Sequence, residues 1–285
     1  MLPSWIVLDG LLVSWLREDI GRGDLTTQGL TELVEKGGVA DWRAKEDGVV
    51  AGLPIAERVF SLLDSEVRFK AEVAEGDRIT VGTKIAEIES SLSTLLTGER
   101  VALNLAMRLS GIATMTRQFA DEIADLPARL VDTRKTTPGL RILEKYAARI
   151  GGAQNHRMGL DDGVMIKDNH IAAAGGIAEA IARIKTGIPY PITIEVETEN
   201  LEQVAEAVAH GADIIMLDNM SIEMMKAAVS KIRAVSQRIK IEASGNITVE
   251  RIRAVAETGV DYISSSAPVT RSPWLDLSMR IDTQR

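Results

Sequence analysis

From residue 129 onward the chain repeats one pattern: a short apolar run, a polar or glycine-containing turn, then a helical stripe. The apolar runs are Arg129 to Asp132, Val164 to Lys167, Ile192 to Val196, Ile214 to Leu217, Lys240 to Ala243 and Tyr262 to Ser264. The later runs begin about 20 to 26 residues apart, the length of one βα unit. Between two of them Leu201, Val204, Ala205 and Val208 recur at i, i+3, i+4 and i+7, as on a helix that covers a sheet. Ser221 and Thr248 stand at N-cap positions, and Gly187, Gly211 and Gly259 follow helical runs. Such an alternation demands parallel strands joined by crossover helices. Polar residues follow almost every run: Arg134 with Lys135, then Lys167, Glu197, Asp218, Ser244 with Gly245, and Ser264 to Ser266. In a parallel α/β barrel the C-terminal strand ends meet at one mouth, where chemistry is done. The expectation is therefore a barrel enzyme with six or seven strands.

The first third reads differently. Leu11, Leu12, Trp15 and Leu16 predict an amphipathic opening helix, ended by the turn chemistry of Asp19 to Thr27. The two glycines there do not make a dinucleotide fingerprint, because the third glycine and the preceding strand are missing. Gly38 to Ser90 gives short strands, such as Gly48 to Gly52 and Arg78 to Val81, around a helix from Ile55 to Leu63. Glu75 to Ile88 looks like the modules that carry biotin or lipoate, but Lys84 lacks the usual flanking residues. The region is read as a structural α/β domain. Next, Leu96, Val101, Leu105 and Leu109 stripe one predicted helix face, with Arg100 and Asn104 on another. On its own, Arg100 reads as a solvated arginine.

Charge separates the functional classes. A formal net charge of -8 argues against bulk electrostatic binding to nucleic acid or an anionic membrane. The absence of cysteine excludes disulfides and thiolate metal sites, and fits a cytoplasmic address. The first nine residues do not read as a secretory signal, and no apolar run approaches a membrane span. Against this acidic background, residues 132 to 170 concentrate Arg134, Lys135, His156, Arg157 and Lys167 at turn-like positions. Arg134, His156, Arg157 and Lys167 suit a small dicarboxylate, since arginine grips carboxylates bidentately. Glu197 and Asp218 offer hard oxygen ligands of the kind Mg²⁺ uses beside a diphosphate. Ser244-Gly245-Asn246 precedes a helix start, where backbone N–H groups favour phosphate. His170 is read as a structural histidine bonded to backbone, His210 as a helix-end residue, and Asp161 and Asp162 as a cap or solvated loop.

These residues closely resemble the quinolinate phosphoribosyltransferase family. The matching segments are Glu18 to Gly21, Gly23 to Thr27, Gly98 to Arg100 and Ser110 to Thr114. The strongest are Asp132 to Arg141, Asn155-His156-Arg157 and Lys167 to His170. Glu195-Val196-Glu197, Leu217-Asp218-Asn219, Glu242 to Ile247 and Gly259 to Ser264 complete a match in one order along almost the whole chain.

The resemblance implies an N-terminal α/β sandwich (residues 1–111, joined by 275–285) and an open seven-stranded α/β barrel (112–274). It implies that quinolinate and phosphoribosyl pyrophosphate give nicotinate mononucleotide, CO₂ and pyrophosphate, with Mg²⁺, in NAD synthesis. By position, Arg134, His156, Arg157 and Lys167 match quinolinate-binding residues. Arg100 matches one supplied by a neighbouring subunit, so a homodimer, alone or built into a hexamer, is the expected unit. Lys135, Glu197, Asp218, Ser244 and Gly245 match the phosphoribosyl pyrophosphate and metal side, with Ser264 and Ser266 on the adjoining loop. Many relatives carry Gly-Ala-Leu-Thr-His after the last barrel strand; this chain has Ser265 to Arg271, with Thr270 or Arg271 near the missing histidine. The competing readings are the paralogue found in molybdenum-transport loci, a Schiff-base aldolase using Lys167, and a carrier module in residues 72 to 90.

Overall fold

A computed structural model describes residues 2–30 and 36–282. Within them lie twelve strands: β1 (Gly37–Ala44), β2 (Gly48–Val49), β3 (Arg68–Ala71), β4 (Arg78–Ile79), β5 (Lys84–Ser91), β6 (Arg129–Val131), β7 (Val164–Ile166), β8 (Ile194–Thr198), β9 (Ile214–Asp218), β10 (Lys240–Ser244), β11 (Tyr262–Ser264) and β12 (Leu277–Asp282). The chain divides into two compact units. The first takes in residues up to Met115, Ile142–Gly151 and the chain from Arg271. The second comprises Thr116–Arg141 and Gly152–Thr270. Residues 283–285 of the expected returning segment, and Met1, fall outside the described residues.

In the first unit an antiparallel sheet runs β12-β1-β5-β3. Trp42 on β1 is fully buried, edge-on to Phe60 and Phe69 with centroids 6.3 and 6.1 Å away. The helix Leu53–Leu63 supplies Ile55, Ala56, Val59 and Phe60 to the same core. Its start is held by Glu75, whose carboxylate accepts the Gly52 and Leu53 N–H groups at 3.0 and 2.7 Å. The opening helix, Trp5–Ile20, buries Leu8, Leu12 and Leu16, with Leu11 and Trp15 only half-buried. On the helix Leu92–Asp121 the predicted Val101 and Leu109 are buried, but Leu96 is exposed and Leu95, Ala102 and Ala106 are buried beside them. Leu105 is half-buried.

Ser110 and Thr114, one turn apart on that helix, explain part of the Ser110–Thr114 motif structurally. The Ser110 hydroxyl exchanges hydrogen bonds with the backbone of Ala51, and Thr114 Oγ1 accepts the Val49 N–H at 2.8 Å. Lys84 opens β5 rather than a hairpin tip and pairs with Asp41 and Glu87 at 2.7 and 2.6 Å. A lysine so engaged gives the carrier reading no support.

The second unit is a parallel sheet ordered β6-β11-β10-β9-β8-β7. It contains six strands, one fewer than the seven of the expected open barrel. A single parallel bridge between Val131 and Gln154 stands beside β6, where a seventh strand would begin. The outer face is apolar, as covering helices require: Ile166, Val196, Ile215, Leu217, Ile241, Ala243 and Ile263 are buried. Helices Leu201–Ala209, Ile222–Val235 and Val249–Ala256 bury Val204 and Ala207, Met225 and Ala228, and Ile252 and Val255. Ala205 and Val208 of the anticipated stripe are half-buried, so the first of these helices turns slightly from its predicted face. Ser221 caps its helix as anticipated, accepting the Met224 N–H at 3.2 Å.

Candidate active site

Alternation along a strand puts Glu195 and Glu197 on one face of β8. Register carries that face across the sheet. Glu197 lies opposite Met216, Met216 opposite Glu242, and Glu242 opposite Tyr262, while Asp218 lies opposite Ser244. On the other side Met165 lies opposite Glu195, so Lys167 continues the same row. Lys167, Glu197, Asp218, Ser244 and Ser264 therefore end successive strands on the inner face.

The loops after β6 add the cations. Asp132, 3% exposed, receives the His156 N–H at 2.8 Å and the Asn155 amide at 2.6 Å, which fixes where His156 and Arg157 sit. Arg141 braces the preceding turn, donating to Thr136 Oγ1 at 3.0 Å and to the Met158 carbonyl at 3.2 Å. Arg157 donates to the Gly163 carbonyl at 2.8 Å. Burial first, and the neighbouring Arg134 second, lower the Arg157 pKa from its ordinary value, while Glu195 opposes them. Two arginines crowd one another where the Arg134 Nε is buried with no hydrogen-bond partner. A group that brings negative charge and acceptor oxygens would relieve both costs.

Across the same face Lys167 pairs with Glu197. This contact joins the cationic half to the carboxylate half, and it engages the Lys167 amine that a Schiff base would need free. Asp218 accepts from Asn219 at 2.6 Å. Lys135 is exposed, its N–H bonded to Thr133 Oγ1 at 3.0 Å. Ser264 is buried and its hydroxyl has no partner; the Ser266 carbonyl accepts the Thr270 hydroxyl at 3.0 Å. Gly245 sits at φ +96 between Ser244 and Asn246. Arg271 is exposed and, like the exposed Arg100, belongs to the first unit. His170 is the backbone-bonded residue expected, its Nδ1 accepting the Lys167 N–H at 3.0 Å.

Two carboxylates not assigned a role from the sequence lie beneath this row. His156 Nε2 is 3.1 Å from Glu195 and 3.4 Å from Glu242, both 3% exposed. A side chain from beside β6 thus touches β8 and β10 at once, which requires the sheet to curve into a barrel. The trio has the donor types of a metal site. However, the Arg157 N–H donates to His156 Nδ1 at 2.7 Å, so the ring proton sits on Nε2 and faces the carboxylates. That nitrogen then lacks the lone pair a metal needs. A signal for the trio existed in Glu195, two residues from Glu197 on one strand, but nothing in local spacing ties it to Glu242.

Burial opposes charge on His156, but hydrogen bonds to Glu195 and Glu242 outweigh it and push its pKa up to about 10. Burial also raises Glu195. The contact from the Arg157 N–H to Nδ1 belongs to the neutral ring, because the charged ring carries a proton on both nitrogens and must give that contact up. For His156 the upward shift contributes stability that is complete below its ordinary value of 6.5 and is lost as pH rises through about 10; the upward shift of Glu195 has the same sign, its contribution falling as pH rises above 4.5. The ¹³C-labelled His156 ring is expected to show no titration near pH 6.5 and a transition near 10, followed by NMR. A transition below pH 8 would refute this coupling.

Comparison with known proteins bears on this geometry. The family model for the quinolinate phosphoribosyl transferase C-terminal domain matches residues 112–280, and that for the N-terminal domain matches residues 24–110. A Synechocystis protein named as a probable nicotinate-nucleotide pyrophosphorylase (carboxylating) is 60% identical over 98% of this chain and 94% of its own length. A mitochondrial quinolinate phosphoribosyltransferase (decarboxylating) of Nicotiana tabacum is 40% identical over 97% of this chain and 83% of its own. Among solved structures, NadC from Streptococcus pyogenes superposes with a TM-score of 0.94 at 42% identity, covering 99% of both chains.

Proposed function

The chain belongs to the quinolinate phosphoribosyl transferase family, and we propose that it transfers the phosphoribosyl group of phosphoribosyl pyrophosphate to quinolinate. Decarboxylation follows, giving nicotinate mononucleotide, CO₂ and pyrophosphate in NAD biosynthesis. One observation supports this reading above the others: Arg134 and Arg157 crowd together over an unpartnered buried Nε, and Arg157 interacts with Glu195 on the inner face that also carries Glu197 and Asp218. A pyridine dicarboxylate answers the first half and a phosphorylated sugar the second.

In this mechanism Arg134, Arg157 and Lys167 hold the two carboxylates of quinolinate and aim its ring nitrogen at the ribose carbon, while Glu195 and Glu242 fix the His156 ring beside Arg157. Positioning and fixed charge then provide most of the rate. Lys135 takes up charge on the departing pyrophosphate, with Ser244, Gly245, Ser264 and Ser266 around the phosphates. The new N-glycosidic bond leaves the pyridinium nitrogen positive. Electrons of the bond to the 2-carboxylate collapse toward it as CO₂ departs, and the ring carbon takes a proton. Glu197 and Asp218, hard oxygen donors on the adjacent strands β8 and β9, would hold Mg²⁺ at the phosphate side of the site. When bound it supplies charge neutralisation at the diphosphate. Arg100 enters from a second copy in a homodimer, and the enzyme acts in the cytoplasm. Among the described residues no helix is long and apolar enough to cross a membrane.

Incubation with quinolinate, phosphoribosyl pyrophosphate and Mg²⁺ is expected to release nicotinate mononucleotide and CO₂ in equal amounts, with nicotinate inactive as acceptor. Removing charge-assisted bonds worth about 1.5–3 kcal/mol, Arg134→Ala is expected to raise the quinolinate KM roughly 10- to 100-fold. Lys135→Ala is expected to lower kcat by a similar factor, roughly 10- to 100-fold. Wild-type turnover in both variants would sink the assignment.

A further inference from the structure

Among the described residues only Asn219 (φ 54) and Asn246 (φ 51) hold left-handed backbone without being glycine. Such residues concentrate where surrounding structure enforces a strained turn for a purpose. Both lie just beyond the C-terminal ends of the adjacent strands β9 and β10, and both are exposed. They are also bonded to each other. Asn246 Nδ2 donates to Asn219 Oδ1 at 3.1 Å, and Asn219 Nδ2 donates to Asp218 Oδ2 at 2.6 Å. A carboxylate only accepts, so the amide must turn its nitrogen to Asp218 and its oxygen to Asn246. The relay has one orientation.

The turns themselves are tied. The Asn219 N–H donates to the Ser244 carbonyl at 3.0 Å. Arg251 reaches from the helix Val249–Ala256 to the carbonyls of Gly245 (3.3 Å), Asn246 (3.4 Å) and Met220 (3.2 Å). Gly245 leaves the room this requires: a Cβ there would lie 2.2 Å from Asn219 Oδ1 and 2.8 Å from its backbone nitrogen.

We infer that Asn219, braced by Asn246, is a positioning residue that sets the direction of the Asp218 carboxylate at the phosphate-and-metal side of the site. The inference rests on the role assigned to Asp218 above. A purely structural turn would need the backbone shape but not the amide, and glycine separates the two.

Asn219→Gly retains a residue at ease at φ 54 and removes the amide. The expected result is a Tm within about 2 °C of wild type. The KM for phosphoribosyl pyrophosphate and the half-saturating Mg²⁺ concentration should rise roughly 10- to 100-fold, with the quinolinate KM within about twofold. Asn246→Gly should move the same two quantities by less. Asp218→Asn is the companion variant. If it impairs phosphoribosyl pyrophosphate and Mg²⁺ use while Asn219→Gly leaves both at wild-type values, the positioning role is overturned and the site reading stands. If neither variant shifts them, the reading of Asp218 fails and takes the inference with it. Equal losses toward both substrates together with a lowered Tm in Asn219→Gly would also overturn it, as a merely structural effect.

Discussion

Alanine at Gly111 is expected to lower the midpoint of thermal unfolding by about 10 °C, from a destabilisation of roughly 3–5 kcal/mol. A Cβ at that helical position would lie 1.9 Å from the Pro273 carbonyl oxygen and 3.2 Å from the Trp274 Cα. Both obstacles are backbone, so no rotamer change relieves them. Nor is the passing segment free to retreat. The Leu275 N–H donates to the Met107 carbonyl at 3.0 Å, and Arg108 holds the Ser272 hydroxyl at 2.9 Å and its carbonyl at 3.3 Å. Gly10 is the control, since it too is helical and a Cβ there meets nothing within 4 Å. Gly10→Ala should be neutral or stabilising by about 0.5–1 kcal/mol. Differential scanning calorimetry on both variants decides the matter, and equal midpoints would show that the tail packs elsewhere.

The second large effect concerns the ion pair that links the two halves of the site. Lys167→Met is expected to cost quinolinate binding, and Glu197→Gln phosphoribosyl pyrophosphate and Mg²⁺ use, each by about two orders of magnitude in kcat/KM. Their combination should not cost the sum. Lys167 and Glu197 are in direct contact at 43% and 15% side-chain exposure, so each single change leaves the other charge without its partner. The double variant removes both charges together. A coupling of about 1–3 kcal/mol is expected from the cycle. Additive losses would mean that the two side chains serve their substrates separately.

Much of the second unit was legible because parallel strands announce themselves. They are apolar on one face, and their polar residues fall in phase at one end, so all six predicted strands coincide with observed ones to within two residues. Lys167, Glu197, Asp218 and Ser244 could be placed together at one end of the strands from that phase, whereas their sharing one face rests on the strand register. What escaped has a common physical cause, namely dependence on partners remote in sequence. Whether Leu95 or Leu96 faces inward is decided by what packs on the helix, not by its own stripe. Residues 142–151 pack with the first unit, through bonds such as that of Tyr146 to Glu75 at 2.5 Å, although they lie between strands of the second. The His156–Glu195–Glu242 trio draws on three distant segments whose meeting depends on the curvature of the sheet. The family resemblance had supplied His156 as a ligand; the two carboxylates that hold it emerge only in three dimensions.

The order of synthesis gives the β12–β1 pairing a further meaning. β1 lies between β12 and β5, and all six residues of β12 pair with it. Roughly 230 residues separate the two strands, which at ribosomal speeds is on the order of ten to fifty seconds. Throughout that interval β1 presents an unpaired edge to a crowded cell, and every strand of the parallel sheet is made before that edge is covered. The sheet of the first unit is started before the parallel sheet and completed after it. A growing chain stalled or truncated shortly before Leu277 would carry an open edge ready for an intermolecular partner, which makes β12 a safeguard against aggregation during synthesis.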